Sequence, residues 1–408
     1  MNDISWEATP QAAQARLQAV RPTAYARTRN HLDGAVTGLS PYLTHGLLSL
    51  PQVLEHLQRQ HRLHASHKLV YELGWREFFR HVWRHEGDAI FASLHAGPLP
   101  DDAYATELPA DIRQARTGLA VVDEAVRTLY RSGGLHNHAR MWLASYVVHL
   151  RKLHWRAGAD WMVAHLLDGD LASNHLSWQW VAGTASHKPY LFNAENVRRH
   201  APPSWHVDGS ALDTGYDELD AIARQAGTIV AACPNHAGHA GHADSVAEPA
   251  RLEGPPEDAG FTPPQPRAVD GREVWIVHPW CLREPPPGLL PVAVLDADHH
   301  RRWPWSERRW HFVATRMQAL AGLRWIGRAD ALVQALSAAR AVHGFDDPHL
   351  GALGSRLGLA PAPALWPEPG RRQRSFSAWW ERVKGHTPDL ADAAGTSMAP
   401  DARDQGRG

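Results

Sequence analysis

The chain has 408 residues, enough for two domains and a sizeable core, and carries 42 Lys+Arg against 43 Asp+Glu. That balance argues against wholesale electrostatic coating of nucleic acid and leaves room only for a local basic surface. Cys233 and Cys281 are too few for a four-thiolate cluster and fit a reduced, cytoplasmic protein, with no apolar run of membrane-spanning length and no basic-then-apolar leader.

In chain order, residues 5–20 read as a short helix that Pro22 ends or restarts, and Asp33-Gly34 marks a turn. Ser49-Leu-Pro-Gln52 has the form of a capping box, followed by Val53, Leu54 and Leu57 on one helical face. Residues 67–86 place Leu69, Leu73, Phe78, Phe79, Val82 and Trp83 so as to predict a helix buried over much of its girth. Val122, Val126 and Leu129 predict another amphipathic helix, stopped by Gly133-Gly134, and Trp142, Tyr146, Val147 and Leu150 continue the pattern. Nothing in residues 1–200 alternates as a strand, so this part is expected to be all-helical.

From Ala201 to Gly271 periodicity is lost among Pro, Ala, Gly and His, which predicts a linker over 201–271. Its tract from Cys233 to His242 offers soft-metal ligands but reads as low-complexity drift, so no metal site is assigned. Val274–Val277, Val292–Leu295 and Leu323–Ile326 then read as short buried strands. Ser306 stands where it would cap a helix carrying Trp310, Val313, Met317 and Leu320, and residues 329–343 read as a second helix. A small α/β domain with a parallel component is therefore expected over 272–383, and a disordered tail over 384–408. The fold class expected is mainly α, an all-helical domain followed by a linker and this α/β unit.

The densest chemistry lies in Leu167-Asp-Gly-Asp-Leu-Ala-Ser-Asn-His-Leu-Ser-Trp-Gln-Trp180. Asp168 and Asp170 flank Gly169, so the backbone is expected to turn before a helix that carries Asp170, Asn174 and Trp178 along one face. Spacing alone supports a capped helix with two core tryptophans equally well. The pattern Asp-Gly-Asp-Leu-Ala-x-Asn-x-x-x-Trp-x-Trp, however, resembles the flavin-binding core of the photolyase/cryptochrome family. Three further blocks match in family order: Leu39-Ser-Pro-Tyr-Leu43, Glu72-Leu-Gly-Trp-Arg-Glu-Phe78 and Leu135-His-Asn-His-Ala-Arg-Met141. The resemblance covers residues 25 to 200, about half the chain.

The resemblance implies an FAD-binding helical domain. Asn174 would face the flavin ring, as an amide able to donate or accept. Asp168 would pair with Arg140 beside it, and a guanidinium there would favour a reduced, anionic ring. Tyr25, Thr37, Leu39 and Ser40 match the segment that holds the FAD diphosphate, although one usual hydroxyl is replaced, and Arg76, Asn137 and Asp170 complete the expected cofactor set. Trp75 and Trp180 match the walls of a cavity for an extruded pyrimidine dimer, with Glu72, Asn137 and Met141 as its polar and thioether contacts. Trp178 and Trp155 match the inner members of the tryptophan chain for photoreduction. No distal tryptophan is found, and His138 departs from the basic residue common at its position. In the family the α/β domain comes first; here the α/β segment follows.

These matches imply light-driven repair of pyrimidine dimers in damaged DNA, with Arg76, Arg80 and Lys188 contacting the backbone. A cryptochrome-like photosensor without repair, or a divergent flavoprotein whose α/β domain recruits a protein partner, are the rival expectations. The family's second, light-gathering chromophore has no recognisable site in the sequence.

Overall fold

A computed structural model of the protein describes residues 6–64, 66–186, 188–227 and 245–388. The Cys233–His242 tract and most of the expected tail lie outside these residues.

Up to residue 200 every regular element described is helical. The signals read from the sequence work as local chemistry. Ser49 and Gln52 form the reciprocal capping box at the start of Leu50–His61. Gly133, at φ 67°, ends Ala120–Ser132 in the left-handed conformation that glycine tolerates. Thr9 caps Pro10–Gln18 by accepting the Ala12 N–H. Three helices carry the candidate site: Lys68–Glu86, Asn137–Ser145 and Leu171–Ala182, with Trp155–His165 packed against the last.

The region read as a linker is partly built. Tyr216–Arg224 is a helix, buried through Leu219 and Ala223, and the Lys152 ammonium closes its end by donating to Ile222 O at 2.5 Å and Ala223 O at 3.0 Å. Glu248 binds Arg113 at 2.6 Å, and Arg251–Leu252 pairs antiparallel with Trp305–Ser306. Its composition concealed these contacts because each is made to a distant segment.

The α/β unit is a four-stranded sheet of β1 (Glu273–Val277), β2 (Leu290–Asp296), β3 (Leu323–Gly327) and β4 (Ala341–His343), in the order β3-β2-β1-β4 and parallel throughout. Two readings are corrected here. The helix expected over 329–343 ends at Leu336, and residues 341–343 form β4 instead. Ser306 starts the helix Glu307–Leu320, but its hydroxyl caps nothing and is buried without a partner.

Residues 345–388 turn back onto the helical part and clasp Lys68–Glu86. Glu77 accepts the backbone N–H groups of Leu365 (2.6 Å) and Trp366 (3.1 Å), Glu368 meets His81 and Arg84, and Phe376–Val383 packs along the same helix. His81, His85 and Glu368 approach closely enough to suggest a metal site. His81 Nε2, however, accepts the Gln373 N–H at 2.9 Å, so the ring proton sits on Nδ1 and goes to Glu368, leaving no lone pair there for a metal.

The hydrophobic core divides in two, but not at the expected linker. One cluster joins residues 8–91 and the Val163–Leu176 stretch to residues 269–383; the other takes residues 112–219 together with Leu32. The α/β unit therefore shares a core with the first part of the helical region.

Candidate flavin site

The Asp168-Gly169-Asp170 turn is the hub. Asp170 is 1% exposed, and its Oδ1 accepts the Ser173 N–H at 2.8 Å, which caps Leu171–Ala182. Its Oδ2 meets Arg80 at 3.1 Å and Arg76 at 3.6 Å. Burial alone would raise the Asp170 pKa, but Arg76, Arg80 and His349 outweigh it and hold the carboxyl well below its usual range. Arg80 also reaches Asp347 of the α/β unit at 2.9 Å.

Asp168 points the other way. Its two oxygens receive Arg140 Nη2 at 2.9 and 2.8 Å, while Arg140 Nε donates to Leu135 O at 2.8 Å. In this pair the Arg140 side chain is 27% exposed and that of Asp168 11%. Asn174 lies one turn into the helix, with Nδ2 donating to Ala159 O at 2.9 Å and Oδ1 without a partner among the described residues. Tyr25 is half-buried, and burial pushes its hydroxyl pKa well up, with Glu72 adding to the rise. Thr37 Oγ1 accepts the Leu39 N–H at 3.3 Å, Leu39 is buried, and Ser40 is exposed at the start of Ser40–Thr44.

By chemistry these groups are of the kinds FAD needs: a guanidinium–carboxylate pair for the polar edge of a flavin ring, the Asn174 oxygen as an unused acceptor, and the hydroxyls of Tyr25, Thr37 and Ser40 for ribose and diphosphate.

Other expected residues are placed differently. Arg76 donates to Thr44 Oγ1 at 3.1 Å and, like Arg80, lies mostly buried in ion pairs, so neither sits at an open mouth for DNA; Lys188 is exposed. Asp170 serves as helix cap and ion-pair centre, with both oxygens committed inside the protein. Trp75 is stacked on Phe376 at 4.0 Å and 9°, so one expected cavity wall is covered by the C-terminal helix. Trp180 is 40% exposed and leans on Tyr190 at 5.7 Å. Asn137 is exposed and Met141 half-buried, with Asn137 Nδ2 3.5 Å from Met141 Sδ.

Glu72 is held by Lys68 at 2.9 Å and Arg29 at 3.5 Å, a cluster with a net charge of one positive unit that favours an anion beside it. Trp178 is buried against Gly158, where a Cβ would overlap its ring, and so packs on the helix that starts at Trp155. Trp155 is buried, with Nε1 donating to Ser93 Oγ at 3.0 Å.

Sequence reasoning missed the residues behind the turn. His45 Nε2 meets Leu167 O at 2.8 Å, Thr44 Oγ1 donates to Asp168 O at 3.2 Å, Arg309 reaches Gly169 O at 2.5 Å, and His349 Nε2 accepts the Leu171 N–H at 3.1 Å. Of these, only Arg309 stood in an element the sequence predicted, beside Trp310 in the helix that Ser306 was expected to cap.

The Arg140–Asp168 pair, the Asn174 amide and the buried indoles of Trp155 and Trp178 stand in a helical region that resembles the flavin-binding domain of the photolyase/cryptochrome family. Residues 69–204 match the family model for the FAD-binding domain of DNA photolyase. Deoxyribodipyrimidine photo-lyase of Synechococcus sp. is 32% identical over 246 residues, which cover 52% of this chain and 49% of that protein. Cryptochrome DASH of Gloeobacter violaceus is 32% identical over 172 residues, covering 40% and 34% respectively. The crystal structure of a Synechocystis sp. cryptochrome aligns over 48% of this chain and 44% of its own at 28% identity, with a TM-score of 0.44. The chain thus matches about half, or less, of the length of these relatives. Among the described residues no helix is long and apolar enough to cross a membrane.

Proposed function

We propose that the protein is an FAD-dependent, blue-light-driven enzyme that splits pyrimidine dimers in DNA by electron transfer. The observation that carries this reading is the Arg140–Asp168 ion pair together with the unpartnered oxygen of Asn174, in a chain whose residues 69–204 match the FAD-binding domain of DNA photolyase. When bound, reduced FAD would supply the light-excited electron. Arg140 would offset negative charge at the ring and Asp168 would fix that guanidinium's orientation. Asn174 would orient the ring through its free oxygen. The Arg29–Glu72–Lys68 cluster would favour the added negative charge on a dimer, and Trp180 offers an exposed indole face for an extruded base.

A cryptochrome-like photosensor is the second reading, favoured by Trp75, whose face is taken by Phe376. One experiment separates the two. Purified protein loaded with FAD and chemically reduced is illuminated with a dimer-containing oligonucleotide. Restored pyrimidines, scored by chromatography against a dark control, support repair. A flavin that bleaches and recovers without restoring pyrimidines supports the sensor. A protein that takes up no FAD rejects both.

A further inference from the structure

The backbone of the Asp168-Gly169-Asp170 turn is held from behind by the α/β unit. Arg309, in the helix Glu307–Leu320, is 1% exposed, and its guanidinium is committed to backbone carbonyls of the helical domain. Nη1 donates to Val163 O at 2.8 Å and Nη2 to Gly169 O at 2.5 Å, while the guanidinium carbon lies 3.9 Å from the centre of the Trp305 ring. Val163 lies in the last turn of Trp155–His165, where carbonyls lack helical partners, so Arg309 ties that helix end to the turn that carries both carboxylates.

Gly169 is the residue this contact requires, since a Cβ there would overlap the guanidinium. Burial pulls the Arg309 pKa down to about 9, and Asp168 and Asp170 act against that fall, which places both carboxylates within electrostatic reach. Space does not allow a substitute. Val163, Gly169, Leu171, Trp280, Trp305 and His349 close around Arg309 and leave about 10 Å³, at the lower limit for one water.

We infer that Arg309 is a positioning residue of the flavin site, contributed by the α/β unit: by fixing Gly169 it sets the direction of the Asp168 carboxylate toward Arg140 and thereby the affinity and redox character of the bound flavin. The inference rests on the flavin reading of Asp168 and Arg140. It means that the α/β unit completes the cofactor site rather than being an appendage to it.

The test uses the full chain, prepared without cofactor and titrated with FAD, with the midpoint potential of the bound flavin measured in parallel. Arg309→Lys keeps the charge but loses the two-carbonyl fork, and Arg309→Met loses both. Both are expected to weaken FAD binding by at least about tenfold, and Arg309→Met also to move the potential negative, because a nearby cation has gone while the reduced ring is anionic. Arg302→Ala, which cuts an exposed contact between the same two units to Asp88, is expected to leave both readouts unchanged. Folded Arg309 variants that bind FAD within about twofold of the parent at an unaltered potential overturn the inference, as does an equal loss in Arg302→Ala. If Arg309→Met does not fold, Arg309→Lys decides. Asp168→Asn is the internal reference. If it loses FAD while the Arg309 variants keep it, the flavin reading stands and only this inference falls. A parent that takes up no FAD ends both.

Discussion

Trp178 can lie where it does because residue 158 has no side chain. The indole covers Gly158 so closely that a methyl group would have to displace ring or helix. Gly158→Ala should therefore cost about 1–3 kcal/mol of stability by overpacking, despite alanine's better helix propensity. It should also slow photoreduction of bound flavin by moving the indole expected nearest to it. Denaturant melts and flavin bleaching under blue light with a reductant would check the two effects. A variant as stable as the parent and bleaching at the same rate would show that Trp178 has room to spare. The same scale explains why two neighbouring aspartates differ in role. Asp170 is enclosed by two arginines and its own helix N-terminus, whereas Asp168 meets a single guanidinium and is not fully buried.

Phe376–Val383 is the element that most changes the reading of the lesion-facing surface. Phe376 stacks on Trp75 and meets Tyr71 edge-on at 4.7 Å, and a Cβ on Gly74 would press into Trp380. Phe376→Ala should cost about 3–5 kcal/mol and free one face of Trp75, seen as a red-shifted, more quenchable tryptophan emission. If Trp75 serves a dimer, the variant should bind a dimer-containing oligonucleotide more tightly than the parent. Unchanged binding with exposed Trp75 would assign that indole to the core alone. What the sequence made legible follows the same division by element. The cap at Ser49, the stop at Gly133 and the strands near 274, 292 and 323 are written in adjacent residues, and the structure bears these signals out. The clasp by residues 345–388 is not, because Glu77 and Leu365 lie 288 positions apart and no local pattern encodes such a meeting. Ser306 shows the converse, a cap-forming residue whose hydroxyl was turned into the core by tertiary packing.

At the scale of the molecule, buried histidines set the response to acid. Burial, the largest cause in each case, pulls His136 and His149 down to about 4 and His300 to about 3. The folded chain thus keeps these rings neutral where the unfolded chain protonates them near pH 6.5, so stability falls as pH drops below that value. Each ring contributes about 1.4 kcal/mol per pH unit once the unfolded form is fully charged, roughly 4 kcal/mol for the three together. Asp170 and Asp347 act later, because their pKa values are depressed in the fold; their stabilisation is complete above the ordinary carboxylate range and is lost only as pH falls below it. Urea midpoints should decline between pH 7 and 5, less steeply in His149→Gln, which keeps a donor for Val181 O. Midpoints that stay level over that interval would show that these rings are charged in the folded state.

The shared core has a consequence for how the protein comes into being. The helices that carry the candidate flavin residues are translated early, yet one face of Lys68–Glu86 and the back of the Asp168-Gly169-Asp170 turn are closed by Arg309, Asp347, His349 and Phe376, which lie more than a hundred residues later in the sequence. A nascent chain stalled before residue 300 would display Trp75, Tyr71 and the rear of the turn to water. Flavin loading is therefore expected to wait for residues 300–388, and a chain cut before residue 300 should fail to take up FAD even with every candidate flavin residue present.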